Sequence, residues 1–180
     1  MDGREGWHVV RTARATLRPV SMGDIESLHD LWTDPGVRRF LWDDEVIPRG
    51  RAEAAVREAI ENFGRYGFGL WVAEGEDGAL LGFCGLRHLE DGPGVEILYG
   101  VSPHEWNRGL ATEMTLAVLR YGFEEGGLHL ILGMTDAANT ASRRVLEKSG
   151  MSLERCDPRE GRKEVSYAIR RKISPPPTNG

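Results

Sequence analysis

VEILYGVSPHEWNRGLATE, residues 95–113, decides the fold. Its first half, residues 95–102, is an apolar run with the period of a strand: Val95, Ile97, Tyr99 and Val101 share one face, Glu96 and Leu98 the other. The chain then passes Pro103 and turns at Gly109 into a helix predicted over residues 108–123, where Leu110, Met114, Ala117, Val118 and Tyr121 form one apolar stripe. Residues 128–135 return as another apolar strand, and strand, helix, strand in that order predicts a parallel crossover. The turn carries chemistry of its own. With a helix starting near Arg108, the amides of Arg108, Gly109, Leu110, Ala111 and Thr112 lack intrahelical acceptors, and the helix dipole adds positive potential. Gly109 and the small Ala111 leave that backbone exposed, so the junction suits a phosphate-bearing cofactor.

Upstream, residues 9–20 read as extended and close at Pro19. Ser21 with Asp24 marks a helix start whose Ile25, Leu28 and Trp32 lie on one face, and Asp34 with Pro35 begins a short helix through Phe40. Residues 51–66 predict a longer helix buried through Ala55, Val56, Ala59 and Phe63. Apolar runs at 68–74, 79–88 and 95–102, separated by the turn-rich EGEDG and EDGPG, predict an antiparallel meander. After the crossover, residues 139–149 read as a short helix ended by Gly150, and residues 151–156 and 164–170 as a last pair of strands. The expected fold is mixed α/β, a central mixed sheet of about six to seven strands with helices on both faces, the N-terminal helices preceding the meander.

The chain has 180 residues, a length for one domain, taken as residues 1–172; the proline-rich residues 173–180 are expected to be disordered. A net charge of -5 and a pI near 5.6 argue against nucleic acid and weakly favour a cationic or amine partner. The two cysteines, Cys84 and Cys156, suggest neither a disulfide framework nor a zinc cluster, and the five histidines show no metal-ligand spacing, so no metal is expected. There is no apolar signal core and no long uncharged stretch to cross a membrane, which points to the cytoplasm.

Taken in order, TARATLRPV at 12–20, WTDPGVRRFL at 32–41, LLGFCGL at 80–86, the glycine turn, and NTASRRVLEKSGM at 139–151 resemble the GNAT superfamily of acetyl-coenzyme A-dependent N-acetyltransferases. The resemblance is greatest to the branch containing the ribosomal-protein alanine acetyltransferases RimJ and RimL, and it covers nearly the whole chain. One position departs from the family's usual cofactor-loop signature: where Gln or Arg is common, this sequence has Trp106, with Arg108 directly before Gly109. An aromatic there is common in the resembling branch, and its side chain either touches the cofactor or only packs.

The resemblance implies acetyl-coenzyme A as cosubstrate, its pyrophosphate on the amides of Arg108 to Thr112 and its pantetheine arm pairing beside the strand that carries Leu98, Tyr99 and Val101. Acetyl transfer to an amine needs a neutral nitrogen, a stabilised oxyanion and a hydrogen-bonded thiolate. Glu96, a carboxylate among apolar neighbours, is the candidate base, because desolvation raises a carboxylate's pKa; the alternative is a glutamate paired to a buried arginine. Asn139 and Ser142 stand at i and i+3 on one helix turn, where the resemblance puts the asparagine at the pantetheine and the serine near the sulfur; Asn139 also reads as a plain helix cap. A backbone amide near Leu98 or Tyr99 is expected to hold the oxyanion. Tyr99 and Tyr167 are alternative acids by chemistry, but both read first as packing aromatics.

The resulting expectation is direct acetyl transfer to a primary amine. A protein N-terminal α-amine is the leading acceptor, an aminoglycoside or polyamine is second, and a non-catalytic acyl-coenzyme A sensor is the rival from another class. Both a monomer and a homodimer are compatible with the sequence.

Overall fold

The computed structural model describes residues 8–89, 92–159 and 162–171. Along the chain run β1 (Val10–Arg11), β2 (Thr16–Pro19), α1 (Ile25–Thr33), α2 (Pro35–Leu41), α3 (Arg49–Tyr66), β3 (Leu70–Glu74), β4 (Leu80–His88) and β5 (Val95–Val101). They are followed by α4 (Leu110–Glu124), β6 (Leu130–Asp136), α5 (Thr140–Lys148), β7 (Ser152–Arg159) and β8 (Arg162–Arg170). The strands form one sheet in the order β1-β2-β3-β4-β5-β6-β8-β7. Every neighbouring pair is antiparallel except β5 and β6, joined in parallel through α4 as the crossover requires.

Eight strands exceed the expected six to seven because the extended segment near residues 9–20 folds back on itself. Thr12 N–H donates to Ala15 O at 3.0 Å, and the turn so closed separates β1 from β2, which pair Val10 with Leu17. The expectation of disorder at 173–180 falls outside the described residues.

Each face of the sheet buries its own core. Leu110, Met114 and Val118 of α4 pack with Val95, Ile97 and Ile131, while Ala117 and Tyr121 are only half-buried and Leu119 joins the core. On the other face Ile25, Leu28 and Trp32 of α1 pack with Val56 and Ala59 of α3 and with Phe83. The alternation along β5 sorts as its sequence predicts: Val95 and Ile97 belong to the first core, with Tyr99 and Val101 packed against it, and Leu98 packs against the second. A side chain on β5 therefore faces either α4 and α5 or the helices α1 to α3.

A polar clasp fastens the second face. Arg18 on β2 donates to both oxygens of Asp24 at 2.7 and 2.8 Å and to Glu74 on β3 at 2.7 Å, while Ser21 N–H donates to Asp24 at 2.7 Å. Burial alone would push the Asp24 carboxyl up, but the bonds from Arg18 and Ser21 outweigh it and hold the group below the usual carboxylate range. A depressed native pKa contributes stability above the unfolded value of about 3.9 and loses it as pH falls through the native value. Asp24→Asn is accordingly expected to lower Tm at pH 7 and to flatten its decline below about pH 4; thermal melts across pH 2–7 measure both.

Candidate active site

β5 and β6 are paired only at Glu96↔Leu132 and Ile97↔Gly133. Past that point each strand follows its other neighbour, β5 keeping β4 to Val101↔Gly82 and β6 keeping β8 to Asp136↔Glu164. The sheet is thereby split, and a cleft of about 970 Å³ runs through the opening, lined from one side by α4 and α5 and from the other by α1, α2 and α3.

The α4 side is built for an anion. Gly109 takes φ +79°, a left-handed conformation that turns the chain into α4, and Asn107 at φ +61° shares that region. The amides of Gly109, Leu110, Ala111 and Thr112 find no acceptor among the described residues, and all four residues line the cleft. Arg14, in the β1–β2 turn, braces the loop from behind. Its Nη1 donates to Arg108 O at 2.6 Å, and its backbone N–H and Nε donate to Glu113 at 2.9 and 2.7 Å. Burial would raise Glu113, yet hydrogen bonds from Thr12 and Arg14 keep its carboxyl below the ordinary range. Arg14 thus neutralises an anion that would otherwise compete with a ligand at the helix N-terminus. Sequence offered no signal for Arg14, because almost a hundred residues separate it from the loop it holds.

Of the residues expected at the cofactor, Leu98, Tyr99, Val101, Gly109, Leu110, Ala111, Thr112, Asn139 and Ser142 line the cleft and Arg108 does not. The Arg108 guanidinium turns instead to Glu105 at 3.3 Å. Trp106 packs across the mouth. Its indole N–H donates to Val101 O at 3.0 Å, and a Cβ placed on Gly36 of α2 would lie 2.5 Å from its Cη2. The Trp106 ring thus ties the cofactor loop to the acceptor-side helices, and only a glycine at 36 permits the approach.

Asn139 caps α5, its Oδ1 accepting from Ser142 N–H at 3.1 Å, and it lines the cleft as well. Ser142 Oγ lies 2.8 Å from the Tyr99 hydroxyl, which also donates to Ser142 O at 3.0 Å. Burial raises the Tyr99 phenol further above neutrality, so it stays protonated at pH 7. Tyr167 is a packing aromatic: its hydroxyl donates to Glu147 at 2.8 Å and accepts from Arg143 at 3.2 Å, away from the cleft.

Glu96 lines the cleft at 6% exposure, on the face of β5 opposite Tyr99, about 10 Å along the strand from it. Arg87, its direct cross-strand partner on β4, donates Nε to Glu96 Oε1 at 2.7 Å. That arginine is half-exposed instead of buried, and Oε2 accepts nothing from the described residues. Around this end of the cleft stand Trp32, Trp42 and Phe83, edge to face at 5.7 and 5.8 Å. The indole N–H groups of Trp32 and Trp42 are buried without acceptors, so packing alone positions the rings, at a cost of roughly 1–3 kcal/mol each.

A parallel strand pair that splits beside an amide-lined glycine turn leaves an open strand edge next to an anion-binding helix start. Residues 14–152 match the family model described as "Acetyltransferase (GNAT) domain", and the chain belongs to that family. A Bacillus subtilis relative, uncharacterized protein YkkB, is 39% identical over 144 residues, covering 78% of this chain and 83% of its own. Among solved structures, a GNAT-family acetyltransferase from Bacillus anthracis superposes with a TM-score of 0.75 at 26% identity, over 90% of this chain and 98% of that one. The Salmonella typhimurium acetyltransferase that modifies the N-terminal serine of ribosomal protein L7/L12 shares the fold, with a TM-score of 0.77 at 16% identity, over 91% of this chain and 99% of its own. The protein is an acetyl-coenzyme A-dependent N-acetyltransferase.

Among the described residues no helix is long and apolar enough to cross a membrane.

Proposed function

We propose that this enzyme, acting in the cytoplasm, transfers acetyl directly from acetyl-coenzyme A to a primary amine, with a protein N-terminal α-amine as its leading acceptor. The observation that carries the reading is the split of β5 from β6, which opens one cleft to both faces of the sheet, with free amides on one side and Glu96 on the other. The diphosphate sits on the amides of residues 109–112, and the thioester arm follows the unpaired edge of residues 98–101, bounded by Asn139 and Ser142.

The amine enters from the α1–α3 side and meets the free Oε2 of Glu96, which accepts its proton as the nitrogen attacks the thioester carbon. Backbone N–H at Leu98 or Tyr99 holds the oxyanion, and the carbon–sulfur bond then breaks. Tyr99 spends its one proton on Ser142 O, so Ser142 Oγ donates to the Tyr99 oxygen and turns its proton to the departing sulfur by exchanging that bond. A coenzyme thiolate with a pKa of about 8.5 is a tolerable leaving group, so this bond assists without being indispensable. Thioester consumption by the purified protein across peptides, polyamines and aminoglycosides tests the reading. Turnover of an α-amine peptide supports it, whereas tight coenzyme binding with no turnover on any amine would leave a sensor.

Arg144 and Lys148 of α5 line the coenzyme side at i and i+4, and neither has an ion pair among the described residues. They are positioned for the remaining phosphate of coenzyme A. The double variant Arg144→Ala, Lys148→Ala is expected to raise KM for acetyl-coenzyme A on the order of tenfold and to leave KM for its dephospho form nearly unchanged. Initial rates with the two thioesters provide the comparison.

A further inference from the structure

The acceptor end of the cleft has a composition that selects among amines. Five carboxylates line the cleft, Asp43, Glu45, Glu58, Glu96 and Glu105, yet most are already engaged, Glu105 with Arg108 at 3.3 Å. Glu96 holds Arg87 at 2.7 Å, Glu45 faces Arg51 at 3.9 Å, and Asp43 has an interaction of its own. Glu58, exposed on α3, has no partner among the described residues. A polyamine or aminoglycoside carries several ammonium groups, and each of them would need a compensating anion on leaving water. Beyond Glu96, which meets the reacting nitrogen, the wall offers Glu58 alone among the described residues.

What the wall supplies in quantity is apolar ring surface. Phe40 and Trp106 line it at 39% and 44% exposure, half-buried Trp42 stands against the buried Trp32, and the guanidinium of Arg51 lies 5.0 Å over the Trp42 ring. The backbone that presents Trp42 is held in an uncommon conformation: Asp43 and Asp44, directly after it, take φ +55° and +64°. Small-molecule sites with this balance, mostly rings and aliphatic wall with a few placed polar groups, recognise an apolar body by burial and one charged group by position.

The geometry points to an acceptor that is a primary monoamine bearing an aromatic or bulky branched aliphatic group next to the amine-bearing carbon. Its single ammonium is guided by Glu58 and surrenders its proton at Glu96, while its apolar body packs against Trp42. This rests on the acetyltransfer reading above, and it names the acceptor's chemistry. The same chemistry is carried by a free arylalkylamine and by a peptide that begins with an aromatic residue.

The test compares kcat/KM for 2-phenylethylamine, a peptide with N-terminal Phe, the same peptide with N-terminal Ser, spermidine and kanamycin. In parallel, tryptophan fluorescence with coenzyme A present reads the binding of each amine without chemistry. The aromatic amines are expected to exceed the serine peptide and both polycations on the order of tenfold or more, and the faster of the two aromatic sources identifies the natural form. Trp42→Ala should raise KM for aromatic acceptors by a similar factor, leaving KM for spermidine and for acetyl-coenzyme A in place. Equal or better use of spermidine, kanamycin or the serine peptide overturns the inference, as does a Trp42→Ala effect that is the same for every acceptor. Selective binding of the aromatic amines with no turnover would retain the inference and sink the acetyltransfer reading.

Discussion

Glu96→Gln is expected to lower kcat/KM for alkyl amines by on the order of 10²- to 10³-fold while leaving KM for acetyl-coenzyme A and Tm nearly unchanged. The substitution keeps volume and an oxygen for the 2.7 Å bond from Arg87, so the cross-strand contact survives. What it removes is the second oxygen's capacity to take a proton. The loss should depend on the acceptor. An alkyl amine of pKa about 10.4 is neutral in only about one molecule in a few thousand at pH 7, whereas an α-amine of pKa about 8 is roughly a tenth neutral. The α-amine therefore needs less help, and its loss should be the smaller by about tenfold. In the variant the rate should climb with pH as the free-amine fraction does, so that the gap to wild type narrows above about pH 9. Initial rates from pH 6 to 10 on one alkyl amine and one α-amine peptide decide it. An unchanged rate across that range would remove Glu96 from the base role.

At the other end of the cleft, Gly109→Val is expected to weaken acetyl-coenzyme A binding on the order of 30-fold or more. The obstacle is conformational, because a Cβ on Gly109 would meet only Arg14 Nη2, at 3.7 Å. At φ +79° a β-branched residue is strained by about 1–2 kcal/mol or more, and the loop relieves that strain by abandoning the turn that aims the amides of residues 109–112. Asn tolerates the left-handed region, so Gly109→Asn should bind within a few-fold of wild type. Calorimetric titration of the wild type and both variants separates strain from bulk. Equal binding by the valine variant would show that the turn is not what holds the diphosphate.

Much of the site was legible in the chain because it rests on local rules. Alternation along residues 95–101 sorted Glu96 and Tyr99 to opposite faces, and Gly109 marked the helix start to within two residues. Asn139 and Ser142 met through one helix turn. Arg87 was within reach of the same reasoning, since a β4–β5 hairpin in register sets it directly opposite Glu96. Its exposure was not, because that depends on what else covers the strand. The extra strand came from a turn held by Thr12 and Ala15, inside a run that has the pattern of one continuous extended segment.

The sequence by itself determined the order of the main elements, the parallel crossover and the glycine turn into α4, because hydrophobic period, capping residues and glycine conformation act over a few neighbouring residues; the family came from resemblance. Only the tertiary structure decided how the pieces meet. It showed the split of β5 from β6 after Ile97, Arg14 braced against Glu113, the Tyr99 hydroxyl on Ser142, and Trp106 lying on Gly36. Each of these depends on where two distant segments come to rest, and that is settled by the packing of both cores together: a contact across the fold leaves no period in the sequence to read.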